Sequence, residues 1–186
     1  ESPHEVAEPA DTEGSGDNEG QPEKQTAVGP SAGQPEASEA DAPRLPADAD
    51  AALLGEFVVE CLDHISAAEA ALPELESNPD NAEPVNTIFR AFHTIKGTSG
   101  FLGLDRIQTL AHLAENLLDR AREGEIRVVG GYADLALNSC DALRTMIGDL
   151  EGIEPGGALP MPPDYEDLVD RLRDPEAAGI GPEADS

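Results

Sequence analysis

Cysteine is scarce in this chain. Cys61 and Cys140 are the only two in 186 residues. Each falls on the apolar face of an expected helix, and they lack the close spacing of a zinc knuckle or a redox pair. We read both as core thiols, in keeping with the burial-prone character of free cysteine. Cations are also few: 11 Lys and Arg stand against 39 Asp and Glu, a net charge of −28. That balance argues against nonspecific binding to nucleic acid or an anionic membrane, both of which reward basic surface. No apolar run approaches the ~20 residues of a membrane-spanning helix, and the start at Glu1 shows no charged-then-apolar leader. A cytoplasmic location is the resulting expectation. Aromatic residues make up 3% of the chain, so Leu, Val, Ile and Ala must fill the core, and no run of alternating strand residues occurs. The missing initiator methionine, with Pro- and Gly-containing segments at both ends, leads us to expect a piece of a longer protein.

Composition divides what is present. Residues 1–47 carry many Pro, Gly, Glu and Asp, no aromatic residue and almost no large aliphatic one. They cannot bury enough apolar surface to offset the entropy of ordering, and read as a disordered acidic tail. From about Asp48 helical periodicity begins, with Leu54, Phe57, Val58, Cys61, Ile65, Ala68 and Leu72 on one face. Asp48 or Asp50 can cap this first helix, and Pro73 should stop or kink it. A second helix is expected from roughly Pro84 to Ser99, ended by Gly100, with Val85, Ile88, Phe89, Phe92 and Ile95 facing the core. A third runs from Asp105 to Gly124, and a fourth from Tyr132 to Leu150. After a Gly- and Pro-rich loop, Tyr165, Leu168, Val169 and Leu172 give a short fifth helix with an apolar edge. These signals predict an all-α fold over residues 48–173: an antiparallel four-helix bundle with a fifth C-terminal helix packed against it. Residues 174–186 look like linker.

Chemistry gathers on the second helix. His93 falls beside the apolar stripe, and residues three and four apart share a helix surface. Arg90, His93, Lys96 and Gly97 should therefore form one exposed strip that is cationic, small and nucleophilic. On the flank of the third helix stand His112 and Glu115, three residues apart and able to share the face that meets the second helix. A helix-interior glycine costs roughly 1 kcal/mol against Ala. At Gly97 we read it as room for a partner to come within bonding range of His93, and at Gly100 and Gly103 as close packing or helix termination.

The strings HTIKGTSGFLG at 93–103 and AHLAENLLDRAREGEI at 111–126 resemble the histidine phosphotransfer (HPt) domain of bacterial two-component signalling, most closely the N-terminal P1 domain of the chemotaxis kinase CheA. The resemblance implies that His93 accepts a phosphoryl group derived from ATP through a separate kinase domain, expected in the same polypeptide, and passes it to an aspartate of a response regulator. It further implies that Glu115 accepts a hydrogen bond from the ring of His93, fixing its tautomer. Lys96 would offset charge on the phosphoryl oxygens, His112 would tie Glu115 into a small network, and Gly97 and Arg90 would belong to the docking surface. No Gly-rich nucleotide loop of the P-loop type is present, so the fragment should not phosphorylate itself. No cofactor is expected, and the isolated domain should be monomeric. Two other readings compete. One is a helical docking module that keeps the fold without transfer, against which the intact His93, Lys96 and Glu115 set argues. The other is a zinc site of His93, His112 and Glu115; since only two helices contribute, where metal bundles use several, no metal is expected. His64 and His4 read as inert. Asp119, Glu123 and Glu125 read as a solvated face with local pairs to Arg120 and Arg122.

Overall fold

A computed structural model describes residues 42–181. Five α-helices follow one another: α1 (Ala51–Ser77), α2 (Ala82–Phe101), α3 (Asp105–Arg122), α4 (Gly131–Gly148) and α5 (Tyr165–Arg173), with a 3-10 turn at Asp149–Gly152 continuing α4. The first four form an antiparallel bundle in which α1 packs on α2 and α4, and α3 on α2 and α4; α5 lies against α3 and α4. The tail expected over residues 1–47 lies outside the described residues as far as residue 41, as do residues 182–186.

The apolar stripes do what their spacing dictates. Leu54, Phe57, Val58, Cys61, Ile65, Ala68 and Leu72 of α1 are all buried, as are Ile107, Leu110, Ala111, Ala114, Leu117 and Leu118 of α3. Burial pushes the Cys61 thiol up to about 11 and that of Cys140 up to about 12, so neither is a nucleophile near neutrality. Asp50 caps α1, its Oδ1 accepting from the amides of Ala52 at 2.8 Å and Leu53 at 3.0 Å. Asn81 caps α2, accepting from the amide of Glu83 at 3.1 Å.

Several expectations need correction. Of the two outcomes expected at Pro73, a stop or a kink, the stop is not taken: α1 runs on to Ser77. Proline removes one amide donor from the ladder, and the following turn is retained because Leu75 is fully buried. Nor does Gly100 end α2. The helix continues to Phe101, and Gly103 takes the left-handed conformation with φ +70°. The amide of Leu104 then donates to the carbonyl of Ser99 at 2.9 Å, closing a Schellman-type end that a residue with a Cβ disfavours. Gly100 instead admits Gln108 of α3, whose Nε2 would lie 2.4 Å from a Cβ placed there. Phe89, expected in the core, is only half-buried.

Packing contacts also continue on either side of the 48–173 span. Leu45 is buried and pairs with a distant loop, its amide donating to Gly157 O at 2.9 Å and its carbonyl accepting from Gly156 N at 3.0 Å. Beyond α5, Glu176 accepts from Arg120 Nη2 at 2.6 Å and from the Tyr132 hydroxyl at 2.8 Å, and Ile180 is buried. One apolar anchor in each segment, helped by these polar contacts, outweighs a composition that otherwise favours the unfolded chain.

Candidate functional site

α2 carries the site because its inner face is packed into the core: Ile88, Phe92 and Ile95 are fully buried. That anchoring leaves His93 turned outward, with 62% of its side chain exposed. Opposite it, α3 places Glu115, the only charged side chain buried among the described residues. A buried carboxylate is costly unless it is paired. Glu115 is paired twice. Its Oε1 lies 2.8 Å from His93 Nδ1, and its Oε2 forms an ion pair with Lys96 Nζ at 2.5 Å. Burial alone would raise its carboxyl pKa, but the contacts with Lys96 and His93 outweigh burial and hold it below the ordinary carboxylate range. Ionised, it can only accept. The Nδ1 facing it must therefore carry a proton, so in the neutral ring the lone pair is on Nε2, the nitrogen of a nucleophile.

The family model for the Hpt domain matches residues 52–152 of the chain. The chain belongs to the Hpt family.

Relatives of this Hpt domain agree. The sensor histidine kinase CheAY of Helicobacter pylori is 38% identical over 95 residues, covering 51% of this chain but 12% of that protein. The chemotaxis protein CheA of Treponema pallidum is 35% identical over 121 residues, covering 65% of this chain and 14% of that protein. The chain thus spans only a small part of the curated relatives it matches. Among solved structures, the phosphorylated P1 domain of CheA3 in complex with CheY6 from R. sphaeroides superposes with a TM-score of 0.59 at 28% identity, covering 69% of this chain and 98% of that one. The CheA phosphotransferase domain from Thermotoga maritima does so with a TM-score of 0.52 at 35% identity, over 54% of this chain and 95% of that one.

The remaining expected site residues of this Hpt domain fall as follows. Lys96 is on Glu115, so in this state its charge is spent on the carboxylate. Gly97 is exposed, and a Cβ there would meet nothing within 4 Å, so no internal packing requires the glycine. Arg90 is exposed one turn before His93. His112 is exposed one turn before Glu115, whose contacts are with His93 and Lys96 rather than with His112. Two residues escaped the sequence reading. Phe89 stacks on the His93 ring, with centroids 5.9 Å apart, and the Arg122 guanidinium lies 4.1 Å over the Phe89 ring. The signal for Phe89 was its position four residues before His93, on the same helical face. Arg122 does make the expected local pair with Asp119, and its reach across to α2 had no signal. Among the described residues, no group of three His, Cys, Asp or Glu side chains could hold a metal ion, and no helix is long and apolar enough to cross a membrane.

Proposed function

We infer that this Hpt domain is the phosphoryl carrier of a CheA-type signalling kinase, working in the cytoplasm, where ATP is available. The Nε2 lone pair of His93 attacks the γ-phosphorus of ATP held by a kinase catalytic domain, expected in the same polypeptide. The bond from phosphorus to the bridging oxygen breaks, and its electron pair leaves with ADP. The ring, still protonated at Nδ1, then carries positive charge that the Glu115 carboxylate offsets. In the second step a carboxylate oxygen of an aspartate on a response regulator attacks the phosphorus, and the N–P electron pair returns to Nε2. Lys96 pairs with Glu115 before transfer and, one turn beyond His93, turns to offset charge on the phosphoryl oxygens once they arrive. Arg90 belongs to the docking surface, and Gly97 leaves the approach to His93 open. The isolated domain acts as a monomer.

The observation that carries this reading is the 2.8 Å contact between an exposed imidazole and a buried carboxylate, which turns the Nε2 edge of the ring toward a partner. The similarity to a phosphorylated P1 domain in complex with CheY6 supports a receiver domain as the second partner. The test is to incubate the chain with labelled ATP and a CheA-type catalytic domain. Acid-labile, alkali-stable label is expected on the native chain and none on His93→Gln, which should keep its helical fold. Acid-labile label on the folded variant would remove His93 from the role.

A further inference from the structure

Glu115 holds the His93 imidazole at one atom, Nδ1. A single hydrogen bond leaves the ring plane free to swing about that contact, and with 62% of the side chain exposed core packing does not restrain it. Phe89 does. Its ring stands 5.9 Å from that of His93 and 21° from parallel, within the range of offset-stacked pairs. Yet Phe89 is only half-buried, so its own rotamer needs a restraint. Arg122 supplies one from α3, its guanidinium carbon 4.1 Å from the centre of the Phe89 ring, inside the range of a cation–π contact. The guanidinium is in turn tied to both helices. Its Nε donates to Asn86 Oδ1 on α2 at 3.1 Å, and its Nη1 donates to Asp119 Oδ1 on α3 at 3.1 Å. An arginine serving only as a solvated partner of Asp119 would have no need to cross to α2.

We propose that Phe89 and Arg122 are positioning residues for phosphoryl transfer: Arg122 locks Phe89, and Phe89 holds the plane of the His93 imidazole so that the Nε2 lone pair points along one line of attack. Neither residue touches the phosphoryl group or moves a proton, and the bonds made and broken are those given above. Their role depends on His93 being the phosphoacceptor. Alignment is worth this much structure because small misplacements of a reacting group are expensive in rate. Two restraints, at one ring atom and on one ring face, define an orientation that either alone leaves open.

The test uses the full 186-residue chain as substrate for a CheA-type catalytic domain with ATP, alongside proton and nitrogen-15 spectra of the His93 ring. Phe89→Leu keeps an apolar side chain but removes the ring, Phe89→Tyr keeps the ring, and Arg122→Gln removes the exposed clamp with little threat to folding. We expect Phe89→Leu to lower kcat about 10-fold with KM changed less than about 2-fold, Phe89→Tyr to recover most of the loss, and Arg122→Gln to fall between them. The ring-current displacement of the His93 ring protons should vanish in Phe89→Leu and diminish in Arg122→Gln. Native kcat in both Phe89→Leu and Arg122→Gln would overturn the proposal, as would a Phe89→Tyr variant as slow as Phe89→Leu or ring signals that ignore both changes. A native chain that takes no label would overturn the phosphoacceptor reading itself, whereas the spectra examine the stacked column without any kinase.

Discussion

Glu115 does two jobs with two oxygens. Oε1 sets the tautomer of His93 while Oε2 takes the charge of Lys96, and the low pKa that results keeps the carboxylate ionised throughout the neutral range. An amide of the same shape cannot offset the charge that develops on the imidazole. Glu115→Gln should therefore slow phosphoryl acceptance about 100-fold, the low end of what a positioned acid–base group supplies, measured as the single-turnover rate with a CheA-type catalytic domain. Much of this site was legible from one chain. His93, Lys96 and Gly97 share a helical face by spacing alone, as they do in the fold. The pairing of His93 with Glu115 was another matter, because it depends on the register of α2 against α3, and only the family resemblance implied it. The grip of Lys96 on Glu115 was hidden for the same reason.

At the scale of the element, α2 combines a fully buried inner face with a bare patch at Gly97 on its outer one. Gly97 sits one turn inside the C-terminal end of α2 and exposed, with open space where a side chain would stand. Gly97→Ala should accordingly stabilise the fold by about 0.5–1 kcal/mol, the helix-propensity difference, seen as a higher denaturation midpoint. A bulky Gly97→Gln should instead slow transfer to a receiver domain while leaving the fold intact. A loss of stability in Gly97→Ala would show that the glycine serves packing after all. The elements themselves were readable wherever apolar periodicity persists over several turns, as in α1 and α3. Their ends were less so. Gly100 and Gly103 are three residues apart, and nothing local says which takes positive φ. Pro73 signals a stop that the burial of Leu75, a tertiary effect, overrides. Phe89 sits at the margin of its stripe, where a helical pattern cannot separate core from rim.

Across the whole molecule, the segments flanking the bundle were missed because Leu45 and Ile180 are single apolar residues in polar surroundings, with no period to betray them. The C-terminal one carries a testable electrostatic signature. Hydrogen bonds from Arg120 and Tyr132 hold the Glu176 carboxyl down from its ordinary 4.5 to about 2. Because the folded pKa is depressed, this contact stabilises the fold above pH 4.5 and fades as the pH falls from 4.5 toward 2. Acid titrations followed by circular dichroism should show the native chain losing more stability over that window than Glu176→Gln; identical curves would mean that the contact adds nothing in solution. The same contact governs reach. Residues 174–181 would extend by about 25–30 Å if they were free; with Glu176 held by Arg120 and Tyr132 and Ile180 buried, they lie back along α3 and α4 instead. One glutamate remote from the imidazole thus decides where the last described stretch of chain lies, along the bundle and not out in solvent.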